Sequence, residues 1–559
     1  MGPIDKADEW FAGTRIAKFF EMNERGTTLF TELGGALVTF MTMAYILAVN
    51  PRILADSGGP CVPDPQEEGG IFGPNYEDCL ERLKREYITA TAIGSCVGCF
   101  IMGLLANLPI ALAPGMGMNA YFTYSVVGFR GTGTVAWDSA VTAIMIEGAI
   151  FLVLAVSGAR SFLARLIPEP VRLATPAAIG AFLAHLGLQT AEGIGIVVSD
   201  IATAVTLGAC PEDKRTPIVA FTEACQADSS SCVTSDAYTC DDLGGVMTSG
   251  TTWMGLLGMM ITLIFMAYKW RSAMIIGIAF VTIVSWFRNT AVTYFPDTPA
   301  GDARFEYFSQ VVAFENMDML IAPFTSDLKS AGVALITFLY VDFLDTSGTL
   351  MGIVSNMGFT DEHGDFPKSR QAFSVDALST MFGSIFGLSP VTSYIESAGG
   401  VGAGARTGLT AVFVGFFFFL SLFFAPIIAS IPAWATGGAL ILVGSMMARS
   451  LKDVKWYDIT HAATAFITVI TMPLTYSIAY GLIAGIVIWI ILQTVFWILG
   501  FLGIERPEFT EDDIPKGTVK SEDKKGVDEK DNSEEQVEEA PADTPADASN
   551  APKEKEMEA

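Results

Sequence analysis

Apolar stretches about as long as a bilayer is thick, roughly 20 residues each, recur along most of the 559-residue chain. The first series covers 29–49, 88–105, 140–156, 174–197, 253–268 and 273–286. The second covers 331–354, 377–388, 409–431, 436–447, 462–475 and 478–501. Two further segments are apolar but cut by helix breakers. One is Leu108-Pro-Ile-Ala-Leu-Ala-Pro-Gly-Met-Gly-Met-Asn-Ala-Tyr121; the other runs from Leu388 through Pro390 to Gly404. Such interruptions free backbone polar groups, which a membrane tolerates only where protein or a cavity covers them. The pattern predicts an all-α polytopic membrane protein of about fourteen transmembrane segments, with segments 3 and 10 broken.

The two halves echo each other. Ala36-Leu-Val-Thr-Phe40 in segment 1 matches Ala334-Leu-Ile-Thr-Phe338 in segment 8, and each precedes a broken segment by two places. Seven segments per copy is an odd number, so the second copy is inverted, a 7+7 repeat. Paired interruptions in corresponding positions point to a carrier's binding site. Positive charge sets the orientation. Arg160, Arg165 and Arg172, Lys269 and Arg271, Lys368 and Arg370, and Arg449, Lys452 and Lys455 all fall on one side. Both termini are then expected in the cytoplasm, with the protein in the plasma membrane.

Composition agrees: 51% hydrophobic and 17% charged residues do not describe an average soluble domain. The net charge of −27 is partly local, because residues 505–559 hold 19 acidic against 8 basic residues. That stretch reads as a disordered acidic cytoplasmic tail. No basic footprint invites nucleic acid. No nucleophile–base set or metal motif points to an enzyme, a metal site or an organic cofactor. Residues 1–25 form a cytoplasmic segment in which Trp10, Phe11, Ile16, Phe19 and Phe20 can build a membrane-surface helix.

The cysteines divide by place. Cys96 and Cys99 lie in an apolar run and read as buried thiols. Cys61 and Cys79 share one outer loop, and Cys210, Cys225, Cys232 and Cys240 share another. Even numbers on an oxidising face make all six disulfide candidates. Three connectivities are open in the second loop.

Charges at membrane depth are costly and mark function. Asp342 and Asp345 stand three residues apart in segment 8, on one helical face with Thr349, and Glu396 sits in broken segment 10. Asn119 occupies broken segment 3. By contrast, Glu147, alone in segment 4, is expected to make a structural interhelical bond. His185 reads as a packed residue. Arg406 is expected to satisfy carbonyls or bind headgroups.

Four motifs raise the reading from solute to class. They are Met41-Thr-Met-Ala-Tyr-Ile-Leu-Ala-Val-Asn50, Ala113-Pro-Gly-Met-Gly-Met-Asn119, Phe343-Leu-Asp-Thr-Ser-Gly-Thr-Leu350, and Thr392-Ser-Tyr-Ile-Glu-Ser397 with Arg406-Thr-Gly-Leu-Thr410. Together these resemble the AzgA-like purine permeases, related to the nucleobase–ascorbate transporters, over residues 27–503. The resemblance implies proton-coupled import of adenine, guanine and hypoxanthine, with the proton as coupling ion. It implies a uracil-permease-like architecture in which a core moves against a gate as an elevator, and a homodimer in the lipid bilayer. Core helices 1–4 and 8–11 would occupy 26–166 and 328–431; gate helices 5–7 and 12–14 would occupy 167–300 and 432–504.

The same resemblance places Asn119, Asp342 and Glu396 at the substrate, with Thr42, Met118, Thr392 and Tyr394 expected around it. Asp342, Asp345 and Glu396 are the candidates for proton coupling. The chemistry is apt, since purines present N–H donors beside ring-nitrogen or carbonyl acceptors. Carboxylates accept, and an Asn amide does both. Tyr45, Phe122 and Tyr394 offer ring faces. Alternatives are xanthine or uracil, cytokinin-type purines, an anion carried on the same fold, or a receptor that does not transport. Three acidic residues near the site argue against an anion.

Overall fold

The computed structural model describes residues 3–62, 74–158, 168–189, 193–200, 204–206, 215–220, 233–240, 249–270, 272–321, 324–326, 328, 331–357, 366, 368–504 and 506. The tail expected at 505–559 lies outside these apart from Arg506, as do Cys210, Cys225 and Cys232. Cys240 ends a strand, Val233–Cys240, that pairs with Arg215–Ala220.

Seven helices among the described residues are long and apolar enough to cross a membrane. They are α1 (Leu29–Ala55), α2 (Asn75–Ala106), α4 (Trp137–Ser157), α5 (Glu169–Leu188), α6 (Gly250–Ala267), α8 (Gly332–Asn356) and α14 (Ile478–Phe501). Shorter apolar helices are α7 (Ala273–Ser285), α11 (Gly408–Ser421) and α13 (Ile459–Thr475). Helices α9 (Ser369–Ser384) and α12 (Ala433–Met447) complete the set of long elements. The chain is thus a helical membrane protein.

The two interrupted segments take one shape. Strand β1 (Leu112–Pro114) leads into short α3 (Met116–Ala120), and strand β2 (Val391–Ser393) leads towards short α10 (Ser397–Gly402). The strands pair antiparallel, with Leu112 opposite Ser393 and Pro114 opposite Val391. Further bonds finish the break: Gly115 N donates to Pro390 O at 3.0 Å and Tyr394 N to Ala111 O at 3.0 Å. Ala111 N donates to Ser397 Oγ at 3.0 Å. Each interruption satisfies the backbone of the other, which is how non-helical chain survives away from water.

Packing falls into two sets. Helices α1–α4 and α8–α11 pack chiefly on one another, through α4–α9, α4–α8, α1–α11 and α1–α10. Helices α5–α7 and α12–α14 do likewise, through α5–α12, α5–α13 and α6–α12. Contact between α5 and α12 is glycine-made: a Cβ on Gly180 would stand 2.6 Å from Gly444 O. A Cβ on Gly444 would meet Gly180 O even closer. Small residues are how helices approach where no water is present to drive association.

Two clasps hold the first set at its ends. At one end, buried Glu32 of α1 accepts from Arg406 N (2.9 Å), Thr407 N (3.3 Å) and Thr410 Oγ1 (2.6 Å). A carboxylate there meets the free N–H groups at the start of α11. Beside it, Arg25 donates to Asn107 O and Arg406 O, and Asn107 Oδ1 accepts from Gly408 N. Arg406 itself donates to Val401 O and Ala405 O. At the opposite end, Cys61 and Cys79 form a disulfide. Arg304 pairs with Glu81, and Arg130 with Glu77. These polar contacts explain why α2 begins near Asn75, well before the apolar run at 88. Near the N-terminus, helices Pro3–Ala12 and Arg15–Phe19 leave Trp10, Ile16 and Phe19 exposed while Phe20 packs with Ala17, Met22 and Leu409.

Candidate functional site

The paired strands gather side chains from five helices. Pro114 O accepts from Asn50 Nδ2 of α1 at 3.0 Å and from the Tyr394 hydroxyl at 2.5 Å. Tyr45, at the irregular turn of α1, donates to Glu396 Oε1 at 2.8 Å. Glu396 is only partly buried and immediately precedes α10. Asn119 is fully buried; its Oδ1 accepts from the Ser389 hydroxyl. Its Nδ2, by contrast, has no partner among the described residues. Buried amide donors ordinarily find a partner, so this one is open to a ligand.

The two aspartates of α8 part company. Asp345 is half-buried, and its electrostatic neighbours are Asp376 and Glu396. Asp342 is sealed from solvent and faces Glu147 of α4, with Asp376 and Asp345 nearby. Residues three apart on a helix share a broad face but differ in direction by about 60°. That offset suffices to send one aspartate to the strands and the other behind them.

Asp376 of α9 is a buried carboxyl at the strand pair that the sequence did not single out. Fully buried, it accepts from Ser393 N and Ser393 Oγ, both at 2.9 Å, and from Thr346 Oγ1 at 2.7 Å. Thr346 Oγ1 also lies 2.7 Å from Thr392 Oγ1. One carboxyl therefore ties α9 to strand β2 and to α8. It escaped notice because the apolar run begins at 377, which made Asp376 look like the last polar residue outside it.

The other sequence candidates sit as follows. Thr392 is a buried residue of β2 itself, and Met118 is buried in α3. Thr42 is half-buried and bonds the carbonyls of Val38 and Thr39, with its side chain near Gly399. Phe122 packs on Phe338, and Tyr394 is nearly sealed. His185 packs edge-on against Tyr476 and bonds Gln189. Glu147 meets the interhelical expectation, with an unexpected partner: its carboxyl lies at hydrogen-bond range of the Asp342 carboxyl on α8, and no N–H or O–H donor reaches either of its oxygens among the described residues.

A cavity of about 290 Å³ lies between broken segment 3, α8 and the start of α14. Tyr121, Tyr124, Ser125, Tyr476 and Tyr480 line it. Tyr124 bonds Asp56 there, and the Ser125 hydroxyl donates to Tyr476 O. This contact joins broken segment 3 to the link between α13 and α14.

Comparison with known proteins follows the geometry. The model of the permease family named for xanthine and uracil matches residues 71–210 and 245–484. A putative xanthine/uracil permease of Schizosaccharomyces pombe is 43% identical over 506 residues, covering 88% of this chain and 78% of that one. The efflux pump notK' of Aspergillus versicolor is 40% identical, covering 89% and 85%. The guanine/hypoxanthine permease PbuG of Bacillus subtilis is 32% identical, covering 84% and 92%. Among solved structures, SLC26A9 aligns with a TM-score of 0.50 at 10% identity, covering 84% of this chain and 66% of that one, a likeness of fold alone. The sealed strand pair, its carboxyls and these matches lead to one assignment: the chain belongs to the xanthine/uracil permease family.

Proposed function

We propose that this protein carries purine nucleobases, namely adenine, guanine and hypoxanthine, into the cell together with a proton. The observation that carries the reading is the pairing of a free amide donor, Asn119 Nδ2, with half-buried acceptors, Glu396 and Asp345, around the strand pair. A purine edge needs both kinds of partner, and a site built on such bonds rejects rings that lack them. Glu396 and Asp345 grip the base, while sealed Asp342 serves the proton. Thr42, Met118, Thr392 and Tyr394 shape the surroundings.

The working motion is an elevator, with α1–α4 and α8–α11 as core and α5–α7 and α12–α14 as gate. The two packing sets support it, and the Ser125–Tyr476 contact is one place where they touch. Fourteen spans in two inverted sevens, termini in the cytoplasm and residence in the plasma membrane complete the reading. The reciprocal Gly180–Gly444 contact supports the repeat. Helix α14 is mostly exposed apolar surface, including Trp497 and Phe501, which suits lipid or a second copy of the chain.

Labelled hypoxanthine uptake, competed with a panel of purines, pyrimidines, xanthine and ascorbate, tests the substrate class. Block by adenine and guanine but not uracil is expected; block by uracil or xanthine alone would overturn it. A second reading is export, favoured by the relative described as an efflux pump. Loss of preloaded purine from energised cells, faster than from cells lacking the protein, would favour it.

A further inference from the structure

The acid pair behind the strands is not explained by substrate binding. Glu147 and Asp342 face each other across the α4–α8 contact, and both are fully buried. Among the described residues no N–H or O–H donor reaches Glu147 Oε1 or Oε2 or Asp342 Oδ2; the hydrogen-bond neighbour of Glu147 is the Asp342 carboxyl itself. The remaining Asp342 oxygen has one long contact, 3.5 Å from Thr346 Oγ1. Such loneliness is unusual, because buried carboxylates ordinarily collect donors or a cation.

Close approach is built in at Gly148, next to Glu147. A Cβ there would stand 2.8 Å from Met381 Cγ and 3.2 Å from Ala377 O, so only glycine lets α4 press this closely on α9. The charged groups facing the pair are themselves carboxyls, Asp376 from α9 and Asp345 from α8. No cation is among the groups acting on Glu147. No group of three His, Cys, Asp or Glu side chains among the described residues is disposed to hold a metal ion.

Two apposed carboxylates without donors repel each other and lose their hydration. A proton between them removes one charge and supplies the missing hydrogen bond at once. We infer that Glu147 and Asp342 share one exchangeable proton and that this pair, rather than the base-gripping residues, is the coupling element of the carrier. The inference rests on the symport reading above and adds a residue to it, Glu147.

A path for the signal is present. Thr346 stands between Asp342 and Asp376, and Asp376 holds the backbone of Ser393, three residues from Glu396. With the proton present, the pair is a neutral-plus-anion couple; without it, a second negative charge appears behind Asp376. That charge is felt at β2, where the base is held. Proton and base are coupled because each alters the electrostatic cost of the other.

Glu147→Gln in reconstituted vesicles provides the test. The amide keeps the shape and can donate to Asp342, but cannot release a proton. Counterflow of labelled hypoxanthine against unlabelled hypoxanthine, which needs no net proton movement, is expected within two-fold of the parent. Accumulation driven by an imposed pH gradient is expected to fall at least ten-fold. Parent-like pH-driven accumulation in Glu147→Gln would overturn the pair alone. A parent protein with no pH-driven accumulation, or with accumulation driven by a sodium gradient, would overturn the symport reading and the pair with it. If Glu147→Gln is silent in both assays, Glu147→Asp decides. Recovered pH-driven accumulation supports the acid; silence in both assays, or accumulation no better than Glu147→Gln, overturns the proposal.

Discussion

Tyr45 donates its hydroxyl to Glu396 at 2.8 Å, joining the bend of the first membrane helix to the second broken segment. The bond fixes where the carboxylate points. Tyr45→Phe keeps the ring and removes the donor. A hydrogen bond to a charged group contributes about 1.5–3 kcal/mol, and part of that is orientation of Glu396. The expected result is a 3- to 10-fold rise in KM for purine with a smaller change in maximal rate, read from initial uptake rates. An unchanged KM would detach Tyr45 from the site.

Asp376→Asn leaves the volume intact but turns one acceptor oxygen into a donor. Three donors now converge on that carboxyl, from Ser393 N, Ser393 Oγ and Thr346 Oγ1. An amide can accept from only some of them, and its NH₂ would oppose another N–H or O–H. Uptake is expected to fall at least ten-fold with normal amounts of protein at the membrane, measured by surface labelling alongside transport. Retained uptake would show that Asp376 only fills space.

Glu32→Ala separates scaffold from site. Removing this carboxylate strands the N–H groups of Arg406 and Thr407, while the Thr410 hydroxyl keeps the backbone carbonyl of residue 32 at 3.0 Å. Lost bonds to a charged group cost about 1.5–3 kcal/mol each in isolation and are not additive. The purified protein is expected to melt several degrees lower, while molecules that remain folded keep the parent KM. A raised KM at unchanged melting temperature would place Glu32 in the substrate path instead.

Ser125→Ala breaks the contact to Tyr476 O between the two helix sets. A neutral hydrogen bond contributes about 0.5–1.5 kcal/mol, which shifts a two-state balance by roughly 2- to 12-fold. A cysteine placed at Ala334, which lines the 290 Å³ cavity, is expected to react faster with an external membrane-impermeant maleimide in the Ser125→Ala background. Equal rates in both backgrounds would remove this contact from the gating step.

Much of this arrangement was legible along the chain because its signals are local. Proline and glycine at Pro114, Gly115 and Pro390 announce broken segments, and carboxylates within apolar runs announce themselves by cost. The paired residues Cys61 and Cys79 were visible from their shared loop, and they do form a bridge. What escaped is what depends on helices meeting. Asp376 lies in a helix with a polar start, Ser369-Arg-Gln, and its value comes from Ser393 and Thr346 on other elements. An interhelical bond for Glu147 is legible in the sequence; that its partner is another acid, Asp342, depends on how α4 meets α8. The different surroundings of Asp342 and Asp345 follow from helix rotation, which spacing alone leaves undecided.

Purine and proton are proposed to move together through this strand pair. Purified protein in vesicles, given labelled hypoxanthine outside and an imposed gradient that is alkaline inside, tests it most directly. Accumulation several-fold above equilibrium is expected, collapsed by a protonophore, blocked by excess adenine and absent in Glu396→Gln. Mere equilibration of hypoxanthine, indifferent to the pH gradient, or full accumulation by Glu396→Gln, would contradict it.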